Sequence, residues 1–329
     1  MNKALSAGGR SPTTLVRAFP LFLLIAGLGF ASQTTAASRS GTISVDVDLV
    51  VVHATVRDRK GGFVSGLQRE NFQVFEDGMP EAIRIFQHED VPAAIGLVVD
   101  NSGSMGPKRK DVTAAALAFA RSSNPQDEMF VVNFNEQVSF GLAGTKLFSA
   151  SGTELEGALN GVPAHGRTAL YDAIEAGLAH LRKAALDKKA LIVISDGGDN
   201  ASHHTLGQVL ESAGRSDAMI YTVGLFDEYD EDRNPGVLRK IARATGGETF
   251  LLEETDKVVP ICERIAADIR NQYTIGYAPS NQRLDSAYRT IRVTASGPHG
   301  QKYRVRTREG YLATPARGSQ PESAAEKLR

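Results

Sequence analysis

Asp100-Asn101-Ser102-Gly103-Ser104-Met105 places one carboxylate and two hydroxyls at alternate positions of a single short turn. These are hard oxygen donors, the type that Mg²⁺ or Mn²⁺ selects. The turn closes an apolar run, Ala93-Ala94-Ile95-Gly96-Leu97-Val98-Val99, whose small and β-branched residues show no polar alternation. Such a run reads as a strand buried on both faces, so Asp100 emerges at the carboxyl edge of a parallel sheet, where open α/β folds bind ligands. An isolated Asp-x-Ser-x-Ser is usually a turn in which Asp and Ser bond nearby backbone, so its chemistry depends on what else reaches the same edge.

Two later segments supply further oxygens in similar settings. Gly166-Arg167-Thr168 precedes a helix expected over 169–185, which puts the Thr168 hydroxyl on a loop at a helix start. A second apolar strand, Ala190-Leu191-Ile192-Val193-Ile194-Ser195, is followed by Asp196-Gly197-Gly198 just as the first is followed by Asp100. In a parallel sheet all three segments end on one rim.

Together these motifs resemble the metal-ion-dependent adhesion site of von Willebrand factor type A domains. Asp100, Ser102, Ser104, Thr168 and Asp196 match it position by position, and the resemblance covers residues 92–270. It implies an α/β fold with a doubly wound, mostly parallel Rossmann-like sheet. It also implies a bound Mg²⁺, or Mn²⁺ or Ca²⁺, through which an acidic residue of a protein partner is captured. The flanks at 45–86 and 273–311 look like the β segments that bracket this domain in secreted bacterial proteins of the von Willebrand A-related type. Asn71-Phe72-x-Val74-Phe75-Glu76-Asp77-Gly78 and Arg308-Glu309-Gly310-Tyr311 carry that likeness.

Two carboxylates balance a divalent cation without saturating it, so an ion held by Asp100, Asp196 and three neutral hydroxyls stays a Lewis acid with an exchangeable position. Met105-Gly106-Pro107 adds no further acid, and the second adjacent cation site of some integrins is not expected. Pro107 fits the first position of a helix in which Val112, Ala115, Ala116 and Phe119 recur at helical spacing. Lys108-Arg109-Lys110, countered by Asp111, reads as a solvated face of that helix.

Composition narrows the partners. Lys plus Arg number 37 and Asp plus Glu 38, so no basic stripe calls for nucleic acid. Gly141-Leu142-Ala143-Gly144-Thr145-Lys146 lacks the spacing and trailing hydroxyl of a phosphate loop, which argues against nucleotide chemistry. Residues 1–40 hold Lys3, Arg10, Arg17 and Arg39 but no acid, then a short apolar centre and Thr35-Ala36-Ala37. That is the pattern of a secretory signal cut after Ala37, leaving no stable membrane span and a periplasmic or extracellular product, with a retained anchor as the alternative. Cys262, the sole cysteine, is expected as a buried small hydrophobe.

The organisation follows from a change of period. Alternating Ile43, Val45, Val47, Leu49 and Val51 mark a half-buried strand, and a hairpin is expected from 72–75 through Asp77-Gly78 to 83–86. From Pro92 strands at 95–99, 129–134, 138–140, 191–195, 219–223 and 248–251 alternate with helices near 107–121, 153–160, 169–185, 205–214, 236–244 and 256–271. Period two returns after Tyr273. The domains expected are thus a signal at 1–37, a β segment at 42–90, the α/β domain at 92–271, a β segment at 272–313 that pairs with 42–90 in a smaller β-sandwich, and a disordered tail at 314–329.

The function these readings favour is an exported, non-enzymatic binding module. A metal-dependent hydrolase or phosphatase is the alternative, because strand-end Asp also serves as a nucleophile; Ser102 then stands where a second Asp would act as acid and base. Ser104 lacks a Gly-x-Ser-x-Gly frame, and His165, His203 and His204 show no carboxylate pairing in the sequence. A structural domain whose metal only stabilises the fold is the remaining alternative. The acidic stretch from Phe226 to Asp232 reads as a solvated loop, or else as a surface for a basic partner or Ca²⁺.

Overall fold

The computed structural model describes residues 49–226 and 233–314. The expected signal and its cut after Ala37, the strand residues Ile43 to Val47, the acidic stretch 227–232 and the tail from 315 onward lie outside the described residues. All described residues belong to one compact unit, Val47–Arg329, and the other unit, Met1–Asp46, falls outside them.

The chain begins with β1 (Val50–Arg57), β2 (Phe72–Glu76), β3 (Met79–Glu81) and β4 (Ile83–Gln87), then enters β5 (Ala93–Asp100). Every residue of β5 is buried. There follow α1 (Arg109–Ser122), β6 (Glu128–Phe134), β7 (Val138–Phe140), α2 (Gly152–Asn160), α3 (Leu170–Leu181) and β8 (Lys188–Ser195). Then come α4 (Leu206–Arg215), β9 (Met219–Leu225), α5 (Pro235–Ala244), β10 (Thr249–Leu252) and α6 (Val258–Arg270), before β11 (Tyr273–Tyr277), β12 (Tyr288–Ala295), β13 (Arg304–Arg306) and β14 (Gly310–Leu312).

Six strands form the central sheet in the order β10-β9-β8-β5-β6-β7, parallel except for the β6–β7 hairpin. Pleating sends alternate side chains of β5 to opposite faces. Ile95, Leu97 and Val99 pack with α1 residues Ala115 and Phe119 and α6 residues Cys262 and Ile265. Ala94 and Val98 pack with Ile174 and Leu178 of α3 and with Leu238 of α5. The expected doubly wound α/β sheet is therefore present. Gly96 sits where a Cβ would come within 2.5 Å of both Leu191 and Phe130, so the sheet centre accepts only hydrogen there. The Cys262 thiol lies inside this core, and burial pushes it up to about 12.

Two antiparallel sheets, β13-β1-β11-β4 and β14-β12-β2-β3, face one another across a second core. Strands before and after the α/β unit interleave: Val52 of β1 lies opposite Ile275 of β11, and Val74 of β2 opposite Val293 of β12. Charged side chains join the sandwich to the α/β unit. Arg57 reaches Asp268 and Glu248 at 3.1 Å each, and the Tyr221 hydroxyl donates to Asp268 at 2.5 Å.

Several elements differ from expectation. Asp77 and Gly78 both take positive φ and form a tight turn, but it returns into β3, whereas Ile83–Gln87 crosses to the other sheet and pairs with β11. The 72–75 to 83–86 hairpin is thus replaced by a three-residue return strand and a change of sheet. Pro107 lies inside a 3₁₀ turn, Gly103–Lys108, and α1 starts only at Arg109. The tighter turn, closed by Met105 N–H to the Ser102 carbonyl at 3.1 Å, folds the Ser102 and Ser104 side chains back toward the strand end. Helix α3 stops at Leu181 rather than 185, its tail continuing as i to i−3 bonds from Lys183 and Ala184.

Candidate metal centre

Strands β5 and β8 are parallel neighbours in register Val99 to Ile194, which brings Asp100 and Asp196 to the same carboxyl rim. The two carboxylates are only 3% and 2% exposed. Ser102 N–H donates to Asp100 Oδ1 at 2.8 Å and Ser195 Oγ to Asp100 Oδ2 at 2.6 Å. Ser104 Oγ donates to Asp196 Oδ2 at 2.6 Å and lies 3.2 Å from Ser102 Oγ. Asp100, Ser102, Ser104 and Asp196 thus form one hydrogen-bonded cluster. The loop that carries Thr168 is tied to the turn after β5: Gly103 N–H donates to the Gly166 carbonyl at 3.1 Å and His165 N–H to the Asn101 carbonyl at 2.9 Å. Thr168 itself is buried, with 6% exposure.

The turn after Asp196 admits one residue type. Gly197 has φ +83°, and a Cβ on it would lie 2.5 Å from the Asn234 carbonyl oxygen. Gly198 N–H then donates to Asp196 Oδ1 at 2.9 Å, which orients the carboxylate.

Burial, and then the charge of Asp196, raise the Asp100 carboxyl to about 7; the groups that oppose the rise are the neutral donors Ser195 and Ser102. Asp100 and Asp196 therefore lie buried on one rim with the Ser102 and Ser104 hydroxyls between them, and the groups that offset the rise at Asp100 are neutral donors. A divalent ion fits that donor set, because it supplies the missing positive charge and takes oxygen ligands of this kind. Among the described residues no group of three or more His, Cys, Asp or Glu side chains is arranged to hold a metal, so a site here relies on hydroxyls alongside the two carboxylates.

Several rim residues behave differently from their sequence reading. Lys108 is buried and donates to the Leu225 carbonyl at 3.0 Å, and half-buried Arg109 donates to Asn101 Oδ1 and to the Leu159 carbonyl. Lys108-Arg109-Lys110 is therefore not a solvated face: the 3₁₀ turn rotates its first two members inward. His203 and His204 do have a carboxylate partner, since both Nδ1 atoms meet Asp172, at 3.1 and 2.7 Å. Asp172 lies in the first turn of α3, 31 residues before His203, a separation that gives no local signal. His165 is exposed on the loop beside Thr168. Sequence reasoning passed over Ser195, which orients Asp100, and over Asn101, whose Nδ2 donates to Asn133 at 3.0 Å beneath the turn. Only the position of Ser195, directly before Asp196, could have flagged it.

Residues 95–198 match the family model of the von Willebrand factor type A domain, a stretch that contains all five rim oxygens. The α/β unit, with its mostly parallel six-stranded sheet, has the fold of that class, and the antiparallel sheets are additional to it. An uncharacterised protein of Synechocystis sp. is 25% identical over 175 residues, 51% of this chain and 40% of the relative, so the chain spans well under half the length of that curated protein. A von Willebrand factor type A structure from Catenulispora acidiphila covers 81% of this chain and 74% of its own at 12% identity, with TM-score 0.49. Proximal thread matrix protein 1 from the mussel byssus, described with zinc in its adhesion-site motif, covers 58% of this chain and 48% of its own at 20% identity, with TM-score 0.46.

Proposed function

We propose that Asp100, Ser102, Ser104, Thr168 and Asp196 hold a divalent cation, Mg²⁺ or else Mn²⁺ or Ca²⁺, and that this rim captures a carboxylate of a protein partner. The observation that carries the reading is the pair of buried carboxylates linked through hydroxyls, Asp196 to Ser104 and Ser104 to Ser102, with the charge of Asp196 acting on Asp100. When bound, the ion supplies Lewis acidity and an exchangeable coordination position for an anionic group. The chain's own residues do the rest. Ser195 and the Ser102 amide hold Asp100, and the Gly198 amide holds Asp196, each with a fixed direction.

The protein acts as a binding module and not as an enzyme in this reading. In a hydrolase with Asp100 as nucleophile, Ser102 stands where a second carboxylate would act as acid and base, and a hydroxyl does not do that work unaided. Export, with removal of residues 1–37, follows from the basic start and short apolar centre of the chain. Neither nucleic acid nor nucleotide is a partner in this reading.

Calorimetric titration of chelator-stripped protein with Mg²⁺ and Mn²⁺ tests it. The expected result is saturable 1:1 binding that Asp100→Ala abolishes. Inertness of the wild type overturns the proposal, and binding that persists in both Asp100→Ala and Asp196→Ala moves the site elsewhere. A domain whose metal only stabilises the fold would show a metal-dependent rise in Tm but retain no protein in affinity capture with and without chelator.

A further inference from the structure

Resting on the metal reading above, we propose that Asn200 is the positioning residue that places the Thr168 hydroxyl in the site. Asp100 and Asp196 are fixed by strands and Ser102 and Ser104 by the turn that follows β5, whereas Thr168 depends on a loop. Asn200 grips the backbone of that loop from both sides. Its Oδ1 accepts the Thr168 N–H at 2.9 Å, and the N–H groups of Asn200 and Ala201 both donate to the Thr168 carbonyl at 3.0 Å. Threonine is β-branched and restricted about χ1, so fixing its backbone limits Oγ1 to a few directions.

The gripping segment is itself anchored. Tyr171 N–H donates to Asp199 Oδ1 at 3.2 Å and to Ser202 Oγ at 3.1 Å, and Asp172 N–H donates to Ser202 Oγ at 3.1 Å. Asp172 in return accepts the backbone N–H of His203 at 3.0 Å and of His204 at 2.9 Å. The loop after Asp196 and the start of α3 are therefore laced together, and the carboxylate and the threonine are held to each other across the rim. On the other side Glu136 Oε2 accepts the Arg167 N–H at 2.7 Å, but Glu136 is exposed and water competes for that bond. Removing the Asn200 side chain leaves the amide of a buried threonine without its acceptor, and the loop must shift to satisfy it.

The test is Mn²⁺ affinity, read by electron paramagnetic resonance on stripped protein, together with amide exchange at Thr168 in the metal-free state. Asn200→Ala is expected to weaken Mn²⁺ binding by roughly tenfold or more, the range seen for residues that orient ligands, and to speed Thr168 exchange. Asn200→Asp, which keeps the acceptor, is expected to restore both affinity and protection. Thr168→Ala with Asn200→Ala is expected to bind no more weakly than Thr168→Ala alone, since both act through one hydroxyl. Unchanged affinity in Asn200→Ala, losses that multiply in the double variant, or restored affinity in Asn200→Asp without restored protection each overturn the positioning role alone. Absence of Mn²⁺ binding in the wild type removes the metal reading and this role with it.

Discussion

Ser104 donates its hydroxyl proton to Asp196 at 2.6 Å, closing a contact between residues 92 apart in the chain. The bond joins the turn after β5 to the turn after β8, so the acid of one strand is reported to the hydroxyls of the other. The Ser104 hydroxyl satisfies a buried carboxylate, and in the proposed metal-bound state it would offer its lone pair to the ion instead.

Substituting that serine separates the two roles. Ser104→Ala leaves Asp196 without its hydroxyl donor, and the expected outcome is a loss of about 1–2 kcal/mol in metal-free stability, measured by urea denaturation, with weaker Mn²⁺ binding. Unchanged values for both would show that the contact contributes nothing.

Gly197→Ala is expected to cost more than about 2 kcal/mol, because positive φ and a 2.5 Å approach to the Asn234 carbonyl penalise any side chain. Thermal melting of the purified variant checks this, and a Tm equal to that of the wild type would contradict it.

The sandwich carries its own buried ion pair. Arg289 and Glu76, each 3% exposed, meet at 3.2 Å, and Glu76 also accepts the Tyr277 and Tyr311 hydroxyls at 2.8 and 2.9 Å. Arg289→Met leaves an uncompensated buried carboxylate and is expected to destabilise by about 3–5 kcal/mol. Adding Glu76→Gln should recover part of that loss. Denaturant midpoints of the two variants decide it, and equal midpoints would count against the pairing.

His53 sets a pH dependence. Burial, followed by the charges of Lys188 and Arg308, lowers its imidazole to about 4. The unfolded chain binds the proton near 6.5 while the folded one refuses it, so the stability attached to neutral His53 is intact above pH 6.5 and lost as pH falls toward 4. Between pH 6.5 and 5 the loss is about 2 kcal/mol. Asp127, raised to about 6 chiefly by burial, works in the opposite direction over the same range. The comparison is therefore wild type against His53→Gln, whose stability difference should shift by that amount in favour of the variant at pH 5. A difference independent of pH would refute it.

We also propose that residues 42–90 and 272–313 form a single folding unit into which 92–271 is inserted. Its expected signature is that 42–90 produced alone stays unfolded by circular dichroism. Release of that segment as a stable fragment in limited proteolysis would overturn it.

Local patterns carried a large share of the α/β unit. The unbroken apolar runs of β5 and β8, and the helical spacing of Val112, Ala115, Ala116 and Phe119, depend on near neighbours in the chain and can be read there. So can the type of these rim oxygens, since Asp100 ends one buried strand, Ser102 and Ser104 lie in the turn after it, and Asp196 follows another. Less legible were features set by partners far away in sequence. Ile83–Gln87 has the alternation of a hairpin arm, yet its pairing with β11 sends it to the opposite sheet.

The chain by itself determined which oxygen donors stand at the end of a strand or the start of a helix, because composition and periodicity are properties of short segments. Tertiary structure alone decided that β8 lies beside β5, that Ser104 meets Asp196, that Lys108 turns inward and that Asn200 holds Thr168. Those are choices among distant partners, made by the packing of the whole sheet and its helices, and no local pattern encodes them.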